Sequence, residues 1–214
     1  MRTRELTLAD RLITGADNAL RTLLAPSEGG KRSNPAQGMV DDQLTDDERK
    51  HAAGLMRVNQ SGEVAAQGLY QGHAFAARNR CLKEKLDHAA DEERDHLNWC
   101  TERLEQLGTR PSVLNGAWYA GAFALGALSS IAGDRWSLGL IAETERQVTA
   151  HLTGHLDKLP SGDTRSRRIV STMRDEEARH GRNAERDGAS QLPDPMKRLM
   201  GRAARLMTTT AYWI

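Results

Sequence analysis

The segment Asp91-Glu92-Glu93-Arg94-Asp95-His96 returns in outline as Asp175-Glu176-Glu177-Ala178-Arg179-His180, so the pattern DEExxH occurs twice in one chain. On a helix, Glu and His three residues apart project from one face about a turn apart, and one carboxylate and one imidazole can then grip a single ion. Both copies sit on apolar stripes: Leu82, Leu86, Ala89, Glu93, His96, Cys100, Leu104 and Leu107 in the first, and Ile169, Met173, Glu177, His180 and Ala184 in the second. Acids placed on inward faces need compensation, because an isolated buried charge costs several kcal/mol. Any fold of this chain has to bring these two stripes together around that compensation.

The rest of the pattern is helical. Pro is scarce, aromatic residues make up 4%, and apolar residues recur at three- and four-residue spacing. The reading is an all-α chain: a four-helix bundle with additional amphipathic helices. Residues 1–42 read as an N-terminal helix (Glu5 to Leu24) followed by a Pro-, Gly- and Ser-containing linker, standing off from a body at 43–214. The body opens at Thr45, where Thr-Asp-Asp-Glu has the form of a capping box, with a helix to about Arg78 whose stripe is Met56, Asn59, Glu63, Ala66, Tyr70, His73 and Ala77. Leu82 to Leu107 forms the second helix, ended by Gly108 and Pro111. The third is in two parts, Ala117 to Ala132 and Trp136 to Leu159, broken at Gly133 and Asp134, with Leu138, Ile141, Glu145, Val148, Leu152 and Leu156 inward. The fourth runs from Asp163 to Gly188, and a last amphipathic segment follows Pro193 and Pro195.

Each DEExxH copy has a stripe glutamate on the helix before it: Glu63 lies 30 residues ahead of Glu93, and Glu145 lies 32 ahead of Glu177. Glu63, Glu93, His96, Glu145, Glu177 and His180 thus make four carboxylates and two imidazoles, the donor set of di-iron and di-manganese carboxylate bundles. Four carboxylates formally cancel two divalent cations, and oxygen and nitrogen donors without thiolate suit iron or manganese better than zinc. Periodicity leaves Glu143 as a rival to Glu145, and it assigns Glu92 and Glu176 to wet faces. His73, His88, His151 and His155 read as surface or packing residues, and Tyr70 and Tyr119 as core.

The formal net charge of +1 gives no general reason to bind nucleic acid. Cys81 and Cys100 form no CxxC pair, and the start of the chain has no apolar secretory stretch, so the expected setting is a reducing cytosol. Ser112 to Gly133, rich in Gly and Ala, reads as buried or interfacial, not as a membrane span. In the last segment Met196, Leu199, Met200, Ala203, Leu206 and Met207 share one side, with Lys197, Arg198, Arg202 and Arg205 around the rest, a pattern suited to packing on the bundle or lying on an anionic bilayer.

From about Asp46 onward the chain resembles the bacterial demethoxyubiquinone hydroxylases. The blocks that carry the likeness are Met56-Arg57-Val58-Asn59 leading to Ser61-Gly62-Glu63, Gln67-Gly68-Leu69-Tyr70, Glu93 with His96, Arg110-Pro111-Ser112, Gly133-Asp134-Arg135-Trp136-Ser137, Ala142-Glu143-Thr144-Glu145-Arg146, Asp175-Glu176-Glu177 with His180, and Thr208-Thr209-Thr210-Ala211-Tyr212. Gln60 departs from the His that many relatives carry there. The resemblance implies a ferritin-like di-iron bundle, the same six ligands with Glu145 rather than Glu143, and hydroxylation of a 2-polyprenyl-3-methyl-6-methoxy-1,4-benzoquinol by O2. It implies two Fe ions per chain and, since no GxGxxG nucleotide loop is present, an external reductant or the quinol itself as the source of electrons. It also implies peripheral attachment to the cytoplasmic side of the inner membrane, contact with other ubiquinone-biosynthesis proteins, and a homo-oligomer as an expectation. An iron-storage ferroxidase and a metal-free helical scaffold are the competing readings.

Overall fold

The computed structural model describes residues 7–24, 30–77 and 79–214. The expected helix start at Glu5, linker residues 25–29 and the helix end at Arg78 lie outside them. Among the described residues there are seven helices and no strand: α1 (Leu8–Leu24), α2 (Asp46–Ala76), α3 (Arg80–Gln106), α4 (Asn115–Ala132), α5 (Asp134–Lys158), α6 (Thr164–Arg186) and α7 (Asp194–Ala211).

Local chemistry sets the helix ends. Thr45 caps α2 through a reciprocal box, its hydroxyl accepting from Glu48 N while Glu48 Oε2 accepts from Thr45 N at 2.9 Å. Asp163 caps α6 by accepting from Ser166 N at 2.9 Å, and the buried guanidinium of Arg103 joins it at 2.8 Å. Gly133, at φ 124°, separates α4 from α5 in a conformation open to glycine.

α2, α3, α5 and α6 form the bundle as two antiparallel hairpins, α2–α3 and α5–α6. α4 is the crossover between them, running alongside α2 and in its direction, a single long connection of the ferritin-like kind. The two parts expected of one broken helix are therefore a crossover and a bundle member. α4 approaches α2 so closely that Gly68 and Gly72 face the backbone of Tyr119 and Phe123, and Gly126 faces that of Leu69. Two apolar clusters seal the bundle: Met56, Trp99, Leu104, Leu152, Ile169 and Met173 toward one end, and Tyr70, Leu82, Leu86, Leu138, Ile141 and Ala184 toward the other. Glu63, Glu93, Glu145 and Glu177 lie between them.

The N-terminal segment does not stand off. Ala19 and Leu23 of α1 pack on Val64, Leu97 and Tyr119, and Thr22 is buried. Residues 30–44 cross the α3–α6 face as a strap: Ala36 enters the core, Asp41 pairs with Arg103 at 2.8 Å, and Asp42 N donates to Gly162 O at 3.0 Å. Composition showed a linker because Pro, Gly and Ser specify irregular backbone, and irregular backbone can be docked.

No helix among the described residues is long and apolar enough to cross a membrane. The outer faces of α4 and α7 are nevertheless apolar: Leu128 and Ile131 are 65% and 62% exposed, and Leu199 and Leu206 are exposed too. The predicted α7 stripe divides, with Met196 and Met200 packed on Leu69, Leu140 and Leu192 while Leu199 and Leu206 turn outward.

The α2–α4 contact yields a test. A methyl at Gly72 would overlap the Phe123 carbonyl, so Gly72→Ala should cost about 1–3 kcal/mol, as overpacking does, and lower the melting temperature by several degrees. Gly121→Ala, with open space around it, should be neutral or slightly stabilising. Equal melting temperatures for the two variants would mean that α4 does not lie where described.

Candidate metal centre

Each bundle helix delivers its polar residues at mid-length, flanked by apolar turns, and all six predicted residues are buried. The two imidazoles, on antiparallel α3 and α6, lie 6.4 Å apart with Nδ1 atoms turned inward. His96 Nδ1 is 3.2 Å from Glu93 Oε2, 2.9 Å from Glu177 Oε1 and 3.8 Å from Glu63 Oε2. His180 Nδ1 is 3.0 Å from Glu93 Oε1 and 3.4 Å from Glu177 Oε2. Glu93 and Glu177 each face both imidazoles. Glu63 borders the His96 side. Glu145 borders Glu177 and accepts from the Tyr70 hydroxyl at 2.7 Å.

Burial pushes the buried carboxyls up, and for Glu63 and Glu145 the charges of Glu93 and Glu177 add to it, so both sit well above the usual range. For Glu93 and Glu177 burial is outweighed by the imidazoles, which hold them below it. Burial opposes charge on the imidazoles, yet Glu176, Glu177 and Glu93 raise His96 well above its ordinary value, and Glu177 and Glu93 raise His180 to about 12. Without a cation, the cluster is held together by retained protons.

The residues fit a divalent metal. Ligand atoms of Glu63, Glu93, His96 and Glu177 all lie within 4.8 Å of one another. Glu63 Oε2, Glu93 Oε1, Glu177 Oε2 and His180 Nδ1 are buried without a hydrogen-bond partner, although His180 Nδ1 and Glu93 Oε1 are only 3.0 Å apart. Atoms this close, but not aimed as donor and acceptor, converge on common points between them, as ligands do. Cys100, one turn beyond His96, donates instead to Met173 Sδ at 3.7 Å, and burial keeps its thiol protonated.

Glu92 and Glu176 are not the wet residues that periodicity made them. Glu176 Oε2 accepts from His96 Nε2 at 2.7 Å, and Glu92 Oε2 accepts from His180 Nε2 at 2.9 Å. Each imidazole is thus oriented by the acid that precedes the central glutamate of the opposite copy, with Nδ1 directed into the cluster. The signal was in the doubled Glu-Glu of both motifs, but it becomes readable only once α3 and α6 face each other. Glu143 points away, paired with Arg146 at 2.6 Å. His73 is buried and hydrogen-bonded to Ser137 at 2.7 Å, His88 is exposed, and His151 and His155 pack ring on ring at 3.9 Å.

A cavity of about 640 Å³ opens beside the cluster, lined by Tyr70, Leu86, Leu138, Ile141, Glu92 and His180 among others. Its wall is mixed: Leu82, Leu86, Leu138 and Ile141 give it an apolar side, and Glu84, Lys85, Arg186 and Asp187 add charged groups from the start of α3 and the end of α6.

The family model described as Ubiquinone biosynthesis protein COQ7 matches residues 49–211. A 3-demethoxyubiquinol 3-hydroxylase of Cupriavidus taiwanensis is 53% identical over 207 residues, covering 96% of this chain and 100% of that protein. The protein of the same name from Ralstonia pickettii is 51% identical over 218 residues, covering 97% and 100%. That of Nitrosococcus oceani is 46% identical over 214 residues, covering 100% of both.

The protonation pattern predicts a narrow pH optimum for the metal-free fold. His73, His151 and His155, which burial holds at about 4, 4 and 3, bind fewer protons folded than unfolded, so their contribution is lost as pH falls below the ordinary histidine value. His96 and His180 bind more protons folded, so theirs is lost as pH rises above it. Urea midpoints in chelator should peak at roughly pH 6.5, and a divalent cation should lift the alkaline side by replacing the protons. A midpoint flat from pH 6.5 to 9 in chelator would contradict this charge assignment.

Proposed function

The chain belongs to the COQ7 family of ubiquinone biosynthesis proteins, and from that membership we propose that it is a hydroxylase acting on the ring of demethoxyubiquinol. The observation that carries the reading is the buried cluster in which Glu93 and Glu177 each face both His96 and His180, beside a cavity lined in part by His180 and Glu92. In finer terms, the substrate is a 2-polyprenyl-3-methyl-6-methoxy-1,4-benzoquinol, the oxidant is O2, and the cofactor is a pair of iron ions. Glu63, Glu93, His96, Glu145, Glu177 and His180 would hold them. Two ferrous ions bound there would supply the reduction and activation of O2.

The chain's own residues account for the rest. Glu92 and Glu176 accept from the Nε2 atoms and so direct both Nδ1 lone pairs inward. Tyr70 donates to Glu145 and presents its ring to the cavity, joining the cluster to the place where a quinol ring would lie. Leu138, Ile141 and Leu86 give the ring an apolar wall to lie against. An external reductant supplies electrons between turnovers, since the chain has no nucleotide-binding loop.

A polyprenyl substrate resides in a bilayer, and the outward leucines and isoleucine of α4 and α7, next to basic residues of α7, suit a membrane surface. The reading places the protein peripherally on the cytoplasmic side of the inner membrane, among other ubiquinone-biosynthesis proteins and as a homo-oligomer.

Iron-loaded protein given a reductant, ¹⁸O2 and a short-chain demethoxyubiquinol should return a quinol carrying one ¹⁸O. Glu177→Ala should lose the iron pair and slow product formation more than about 100-fold, beyond the loss typical of an outer-sphere partner. Ile141→Trp, which fills the cavity, should keep the iron and raise KM. Product formed equally well by Glu177→Ala would end the assignment. For the surface, Leu128→Glu with Ile131→Glu should reduce co-sedimentation with vesicles containing anionic lipid about tenfold or more, since each swap removes apolar area and adds repulsion; unchanged binding would move the contact elsewhere.

A further inference from the structure

Two acids orient the two imidazoles, and the structure treats them unequally. Glu92 is held by Arg179, which stands beside His180 on α6, is about half exposed and reaches Glu92 Oε1 through one nitrogen at 2.9 Å. Glu176 is held by Arg32, from the strap outside the family-matched region. Arg32 meets it as a fork, Nη1 to Oε1 at 2.7 Å and Nη2 to Oε2 at 2.9 Å. The same guanidinium donates through Nε to Asp95 Oδ2 at 2.6 Å. Asp95 is buried on α3, and its Oδ1 accepts the backbone N–H of Lys31 at 2.7 Å. The guanidinium also lies 4.9 Å over the Trp99 ring, and Trp99 packs on His96 at 5.3 Å. Arg32 therefore reaches His96 by two routes, through the Glu176 carboxylate to Nε2 and through the Trp99 ring to the imidazole face.

We propose that Arg32 is a positioning residue for the His96 half of the metal centre, and that the strap is thereby part of the site. The inference rests on the reading that the cluster holds two metal ions. A side chain that only stapled the strap down could be any cation, as Lys31 is on the half-exposed Asp91 at 2.5 Å. A fork spanning Glu176 and Asp95 at once, stacked on the indole touching the ligand, fixes the direction in which Glu176 pulls on His96. Because Arg179 comes from α6 itself, loosening the strap leaves the His180 half in place. The two ions then respond differently to one change.

The test is anaerobic titration with ferrous ion against a competing chelator, followed by Mössbauer spectra of the ⁵⁷Fe-loaded protein. Arg32→Gln should weaken one of two binding steps by about 10- to 100-fold, the range for outer-sphere partners, and shift one ferrous doublet while the other stays. Arg179→Gln should shift the other doublet. Arg32→Lys, which keeps the charge but not the fork, should restore the metal-free melting temperature without restoring the weakened step. Glu176→Gln should reproduce most of the effect, and the double variant should fall well short of the sum of the two single losses, since both variants break the shared route through Glu176. Lys31→Ala should leave both steps unchanged. Unchanged binding and spectra in Arg32→Gln, additive effects with Glu176→Gln, or equal weakening of both steps in proportion to lost melting temperature would each overturn the inference while leaving the metal centre standing. A parent chain that takes up no iron would remove both.

Discussion

The close approach of two imidazoles and two shared carboxylates at the middle of the bundle is the interaction on which the rest depends. His96 and His180 each face Glu93 and Glu177 at 2.9–3.4 Å, and all four side chains are buried. Breaking one partner out of such a set leaves an uncompensated buried charge, typically at a cost of about 3–5 kcal/mol. Glu63 and Glu145 remain above the usual carboxylate range because burial disfavours their charged forms and the charges of Glu93 and Glu177 add to it. The cluster is thus short of cation, and a bundle short of cation at its centre is one prepared to take up metal.

The hairpin duplication explains the economy of the design. α3 and α6 run antiparallel, so each copy of DEExxH meets the other head to tail. The second glutamate of one copy then bridges to the imidazole of the other, and the first glutamate orients that imidazole from behind. One six-residue word, read once in each direction, supplies both layers of the site. The connection that makes this possible is α4, which carries the chain the length of the bundle and can lie close to α2 because Gly68, Gly72 and Gly126 remove the side chains between them.

Legibility in the sequence followed the range of each signal. The capping box at Thr45, the stop near Gly133 and the inward stripes of α2, α3, α5 and α6 are properties of single helices, and the structure places them as the pattern indicates. The six clustered residues were readable for the same reason, since a buried glutamate on an apolar stripe stands out within one helix. Glu92 and Glu176 were misread because periodicity asks only which way a residue points from its own axis. At the rim of two facing helices, an outward-leaning acid still meets a neighbour. The strap was harder still: Arg32 and Ala36 lie in irregular backbone, where no period exists, and the acids that Arg32 meets are more than 60 residues away. The role of α4 as crossover was hidden because a break at Gly133 looks the same in a bent helix and in two separate ones.

What the duplication makes equal, the unduplicated parts make unequal. His180, Glu92 and Tyr70 line the cavity, so that half of the cluster meets whatever enters. His96 is fully buried under Trp99, the Arg32 fork and the strap, so the other half is closed. A site of two identical grips would present the same face to solvent twice. Here one grip is opened by the gap between the start of α3 and the end of α6, and the other is shut by a segment that precedes the bundle altogether. A ring entering the cavity therefore reaches the His180 side first, while the His96 side, held from behind, supplies the fixed geometry against which the open side can adjust.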